Sequence, residues 1–133
     1  MEPYKMPILT LDSITDLRAQ FVADPFMINE SGVWHLFFEI LPVGKLAKGV
    51  IGLATSRNLL DWKYRGVVLA EAFHLSYPQV VRHSNSIYMI PESYQAGSVI
   101  LYRAKNFPYQ FEPVANLIQG EFVDARIFFY KGL

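Results

Sequence analysis

Ala23-Asp24-Pro25-Phe26-Met27-Ile28 leads through residues 29–32 into Val33-Trp34-His35-Leu36-Phe37-Phe38-Glu39. The same order returns as Ser76-Tyr77-Pro78-Gln79-Val80-Val81, residues 82–85, and Ser86-Ile87-Tyr88-Met89-Ile90-Pro91-Glu92. In both copies a proline follows the opening polar residue, a short polar turn separates two apolar runs, and a glutamate closes the second run. Short runs rich in Val, Ile, Phe and Tyr between Gly, Asn and Ser read as strands joined by tight turns. Working outward, residues 49–56 (GVIGLATS) match 98–105 (SVILYRAK), and Trp62 in a fourth run, 61–69, is matched by Phe111. A third copy opens at Val123-Asp124-Ala125-Arg126-Ile127-Phe128. A unit of about 45–50 residues holding four short strands is the signature of a propeller blade. A single β-sandwich with look-alike strands is the competing reading. It accounts less well for a proline, a turn and a glutamate recurring at equal offsets.

The expected fold is therefore all-β, a partial β-propeller of about two and a half four-stranded blades with a short N-terminal lead-in. The lead-in is residues 1–20, blade one about 21–71, blade two about 75–120, and the start of blade three about 122–133. Within the lead-in, Thr10, Asp12 and Ser13 are suited to cap a short helix over residues 11–20, with Ile14 and Leu17 on one face.

Composition removes several function classes. The hydrophobic fraction of 52% is enough for a packed core. Twelve basic residues offset twelve acidic ones, which argues against a nucleic-acid binder relying on a basic surface. There is no cysteine, so disulfides and thiolate metal sites are excluded. No run approaches the roughly 18–20 apolar residues that span a bilayer, and residues 1–9 lack the apolar core of a signal peptide. No membrane insertion and a cytoplasmic location are expected. His35, His74 and His83 lie too far apart for an H-x-x-x-H metal site, and Gly49 and Gly52 lack the G-x-G-x-x-G order of a nucleotide loop. No cofactor is expected.

The blade openings at Ala23–Phe26, Ser76–Pro78 and Val123–Ala125 resemble those of five-bladed propeller glycosidases of the family 43 furanosidase type. Ala54-Thr55-Ser56-Arg57-Asn58-Leu59-Leu60-Asp61-Trp62 is similar to their A-S-x-D-L-x-x-W outer-strand segment. A closer resemblance is to the propeller domain on the N-terminal side of plant glucosamine inositolphosphorylceramide transferases and their bacterial relatives. It rests on ADPF (Ala23–Phe26), FFE (Phe37–Glu39), HLSYP (His74–Pro78) and IPES (Ile90–Ser93), in that order, and covers the chain from about Phe21 onward. The glycosidase resemblance implies a general base at Asp24 and, at Asp124, the aspartate that orients the acid. The acid itself would lie in a later blade, so it has no counterpart here.

The residues suggest a site without the resemblance. Hairpin geometry brings the start of one strand beside the end of the next. Asp24 and Glu39, Tyr77 and Glu92, and Asp124 should then gather at one end of the axis. Carboxylates and a tyrosine hydroxyl suit a polyhydroxylated ligand. His74 precedes Ser76-Tyr77-Pro78 and is placed for ligand contact, and Arg126, two residues past Asp124, for an axial carboxylate or an anionic group such as phosphate. Each has a plainer role open to it: Asp24 as the polar residue before a proline, Glu39 and Glu92 as structural hydrogen-bond acceptors, His35 and the tryptophans as packing, His83 as a solvated turn residue. Three functions stay open: a glycosidase-like sugar or sugar-phosphate site, a non-catalytic accessory domain of a glycosyltransferase system, and a protein-interaction propeller. A third blade represented by its first strand leaves an apolar face and an unpaired edge, which predicts self-association.

Overall fold

The computed structural model describes residues 7–131. Eight strands follow in chain order: β1 (Ala19–Glu30), β2 (Val33–Pro42), β3 (Val50–Ser56), β4 (Lys63–Leu69), β5 (Ser76–His83), β6 (Ser86–Glu92), β7 (Ser98–Asn106) and β8 (Gln110–Gln119). They form two four-stranded antiparallel sheets, ordered β1-β2-β3-β4 and β5-β6-β7-β8. The two halves of the sequence repeat thus become two sheets of identical order. The β1–β2 turn is tight because Ser31 and Gly32 both take positive φ, 51° and 79°, the backbone a two-residue hairpin loop needs.

Strand alternation divides each sheet into two faces. In β2, Leu36, Phe38 and Ile40 point one way, into a cluster with Ile14 and Ala54. Phe37 points the other way, into a second cluster with Ile51, Leu53, Leu75, Met89, Ile100 and Tyr102. The second cluster lies between the sheets, with β5 packed on β1 and β2. The Phe37 ring meets Phe111 edge-on at 5.7 Å. Arg82 Nε donates to Glu30 Oε1 at 2.9 Å across the same junction.

The ladders correct the repeat by one residue. Leu36 faces Ala54 in the first sheet and Met89 faces Tyr102 in the second. Ala54 therefore corresponds to Tyr102, whereas matching 49–56 to 98–105 pairs it with Arg103. With this register, equivalent residues fall on equivalent faces throughout.

The lead-in is not the expected helix over residues 11–20. Only Leu11–Ser13 forms a 3-10 turn, and β1 has begun by Ala19. A ten-residue helix is marginal without tertiary support, and the tertiary contacts here favour an open chain. Ile14 is buried on the outer face of the first sheet, with Leu9 and Leu17 packed beside it. Asp16 reaches β4, where its carboxylate accepts from Tyr64 Oη at 2.8 Å and from the Val67 N–H at 3.2 Å. Asp16→Ala should lower the unfolding free energy by about 1–2 kcal/mol through these two lost bonds. Urea denaturation checks this, and Asp16→Asn should recover part of the loss because its amide oxygen still accepts.

The expected first strand of a third blade, residues 124–130, is also not a ladder strand. The segment after β8 runs beside β5, where the Gln79 side-chain amide holds the backbone of Ile127 at 2.8 Å on both its N–H and its C=O. Among the described residues it has no strand partner, so it lacks a ladder. No helix among the described residues is long and apolar enough to cross a membrane.

Candidate functional site

Asp24 does not start a strand. It sits inside β1 at a break in the ladder, where the register slips between Ala23/Glu39 and Phe26/Phe37. Tyr77 occupies the same break in β5, between Ser76/Glu92 and Gln79/Ile90. Asp24, Tyr77 and Asp124 all adopt positive φ, 53°, 48° and 50°. A left-handed residue is uncommon outside glycine and is a true outlier for a bulky side chain such as Tyr77. Bulges of this kind re-aim a side chain beside functional sites. One strained geometry is thus used three times, at the three repeat-equivalent positions.

The bulges converge on two glutamates. Glu39, opposite Ala23 in the ladder, is 4% exposed. Its carboxyl hydrogen-bonds the Asp24 side chain, which two carboxyl groups achieve only by sharing a proton. Burial, then the charges of Asp24 and Glu92, then that hydrogen bond push Glu39 up to about 7 from 4.5. Glu92, opposite Ser76, accepts the Asp124 N–H at 3.0 Å. Asp24, Glu39 and Glu92 therefore form one acidic group, which the Asp124 backbone joins through its N–H.

His74 is tied to its neighbours through both ring nitrogens and its backbone. Its Nδ1 accepts the Gly49 N–H at 2.9 Å, so the ring hydrogen resides on Nε2, which faces Glu39 Oε1 at 3.4 Å. The His74 N–H in turn donates to Gln95 Oε1 at 2.9 Å. Gly49 makes this approach possible: a Cβ there would lie 2.3 Å from Leu75 O, 2.7 Å from His74 Cε1 and 2.9 Å from Glu39 Oε1. Among the described residues Arg126 pairs with aromatic rings and not with a carboxylate. Its Nε donates to Tyr77 Oη at 2.6 Å, and its guanidinium lies 5.3 Å from the Tyr77 ring centre and 6.0 Å from that of Phe26. Phe26 and Tyr77 meet edge-on at 4.9 Å.

The structure links Asp24, His74 and Glu92 to Glu39 and the Asp124 N–H to Glu92, while Tyr77 and Arg126 pair with each other. Gly49, Gln79 and Gln95 complete the arrangement, and reading the sequence missed them. Gln79 and Gln95 carry no local signal. The glycine at the head of a strand is the one cue that close backbone approach would have given. Of the remaining histidines, His35 is buried beside Phe107 with its Nδ1 unpaired, and burial lowers its pKa below the ordinary value. His83 stacks on Phe129 at 5.3 Å. Among the described residues no group of three or more His, Cys, Asp or Glu side chains is arranged to hold a metal ion.

The model for the family "Glucosamine inositolphosphorylceramide transferase 1, N-terminal" matches residues 2–133. The chain belongs to this family. It is 37% identical over 134 residues to glucosamine inositolphosphorylceramide transferase 1 of Oryza sativa subsp. japonica, covering 98% of this chain and 18% of the rice protein. It is 36% identical over 135 residues to the Arabidopsis thaliana protein of the same name, covering 98% of this chain and 17% of that one. The chain thus spans less than a fifth of the length of the curated transferases it matches. As a member of the transferase N-terminal family it is glycosyltransferase-associated, and its acidic group belongs to this N-terminal region.

Proposed function

We propose that this chain is a non-catalytic sugar-recognising domain of a glycosyltransferase system and that its acidic group holds an amino sugar. The observation that carries the reading is the register that sets Glu39 and Glu92 beside the equivalent bulges at Asp24 and Tyr77, with Glu92 accepting the Asp124 N–H. Neighbouring carboxyl groups of Asp24, Glu39 and Glu92 disfavour a phosphate and favour a ligand bearing hydroxyls and an ammonium group. The relatives' names include glucosamine, whose amine supplies that charge. On this reading the ammonium replaces the shared proton, and binding releases it.

The wider frame proposed is a β-propeller of the glycosidase-like type. Two sheets of identical strand order support it, as do the three left-handed openings.

The test is an NMR titration of the chain with glucosamine, N-acetylglucosamine and glucose 6-phosphate at several pH values. Glucosamine should bind at least about tenfold tighter than the other two, a difference of about 1.4 kcal/mol. Its affinity should rise between pH 6 and 7.5 as Glu39 ionises, and Asp24→Asn should weaken it at least about tenfold. Equal affinity for the acetylated sugar, or binding unchanged in Asp24→Asn, overturns the amino-sugar reading.

A further inference from the structure

Ala23 faces Glu39 where Ser76 faces Glu92, and Phe26 faces Phe37 where Gln79 faces Ile90. Asp24, Phe26 and Glu39 of the first sheet are therefore equivalent to Tyr77, Gln79 and Glu92 of the second. The two sets are used differently. In the second sheet all three grip the segment that follows β8. Glu92 Oε2 accepts the Asp124 N–H at 3.0 Å, Tyr77 Oη accepts from Arg126 Nε at 2.6 Å, and the Gln79 amide takes both backbone groups of Ile127 at 2.8 Å. In the first sheet Asp24 and Glu39 bond each other, His74 Nε2 faces Glu39, and Phe26 gives Tyr77 only an edge-on ring contact at 4.9 Å. Glu92 is thus committed to the next segment, whereas Glu39 is left with Asp24.

The grip falls on a strained residue. Asp124 has a φ of 50°, a left-handed backbone that costs energy and persists only where its surroundings fix it. A carboxylate accepting a backbone N–H makes a charge-assisted bond, stronger than one between neutral groups, and Glu92 makes that bond to the strained residue itself. The held segment also lies close to the acidic group. The Arg126 guanidinium sits 5.3 Å from the Tyr77 ring centre and 6.0 Å from that of Phe26, and Phe26 is two residues past Asp24. Residues 124–127 therefore form a wall beside Asp24 and Glu39.

We infer that Glu92 is a positioning residue for the amino-sugar site: its bond to the Asp124 N–H fixes this wall, while Asp24 and Glu39 meet the ligand. Glu92 adds its negative charge to the site, but its contact is with the backbone of the next segment. One repeat position thus serves two ends. The first glutamate recognises and the second holds. The ligand assignment rests on the sugar reading; the bond to Asp124 does not.

The test is NMR on the unaltered chain, Glu92→Gln and Glu92→Ala, reading the Asp124 amide and the glucosamine affinity in the same samples. Circular dichroism confirms that each variant is folded. Glutamine keeps an acceptor oxygen for the N–H and loses only the charge. Asp124 amide exchange should be at least about tenfold faster in Glu92→Ala, with a smaller change in Glu92→Gln. Glucosamine affinity should fall at least about tenfold in Glu92→Ala and stay within about threefold of the unaltered chain in Glu92→Gln. Unchanged Asp124 exchange in Glu92→Ala overturns the inference. Glutamine as weak as alanine also overturns it, because Glu92 would then meet the ligand with its charge. Faster exchange with undiminished affinity in Glu92→Ala overturns the positioning role and leaves a bond that serves the fold alone. If the unaltered chain binds no glucosamine, the sugar reading fails and the assignment of Glu92 to that site falls with it, whereas the Asp124 amide still decides whether Glu92 holds the segment.

Discussion

Glu39→Gln should make the protein more stable at pH 8 by roughly 3 kcal/mol while changing little at pH 4. The Glu39 carboxyl stands at about 7 in the fold against 4.5 unfolded, and each unit is worth about 1.4 kcal/mol. Because the folded value is raised, the folded state binds the proton more tightly. The favourable contribution is fully present below pH 4.5 and is lost as pH rises through 7. Above that, folding must hold an ionised carboxylate that is 4% exposed beside Asp24 and Glu92.

Glutamine keeps the hydrogen bonds of the protonated acid. Its Nε2 donates to Asp24 where the shared proton now lies, and its Oε1 accepts from His74 Nε2. It removes only the ionisation. Denaturant unfolding at pH 4, 6 and 8 should therefore show the wild type losing stability across this span and Glu39→Gln holding level. Parallel curves for the two proteins would mean that Glu39 is not held as a proton-sharing acid. A site that costs stability in its empty, ionised state is the expected mark of a binding site.

The strands were legible because burial alternates along them and tight turns separate them. In the run from Leu36 to Ile40 the even positions face the lead-in and Phe37 faces the second sheet, a period-two pattern any half-buried strand must write into its sequence. The repeat carried the acidic positions as well, since Glu39 and Glu92 stand beside equivalent bulges in the two sheets. What was not legible was decided by contacts between distant segments. The helix expected from Thr10, Asp12 and Ser13 gave way because stretching the chain lets Ile14 cover the sheet and Asp16 reach Tyr64. Left-handed backbone is foreseeable at Asp24 and Asp124, since aspartate tolerates it, but not at Tyr77, where only the surrounding ladder imposes it. The contacts of His74 were not legible because its two nitrogen partners, Gly49 and Glu39, lie in other strands or loops.

Gly49→Ala should destabilise the protein by about 3 kcal/mol or more and withdraw His74 from Glu39. The argument is steric and does not invoke unusual backbone, because the obstruction comes from three atoms the new Cβ would meet. At 2.3 Å from Leu75 O the conflict is with backbone. That backbone is itself fixed, because the Leu75 N–H donates to Gly49 O at 3.0 Å. Relief requires the loop from Leu69 to Ser76 to move away from β3. Moving it breaks the Gly49 N–H bond to His74 Nδ1 and withdraws His74 from Glu39. It also displaces the fully buried Leu75 from the cluster between the sheets. Gly52→Ala supplies the comparison. A Cβ there would lie 2.5 Å from Ile40 Cδ1, the end of a flexible side chain, so its cost should be smaller and should leave the His74–Glu39 contact in place. Thermal unfolding of both variants, with the His74 ring signals followed by NMR, separates the two cases. A His74 environment unchanged in a folded Gly49→Ala protein would show that the link from the glycine through the histidine to Glu39 does not position the acid.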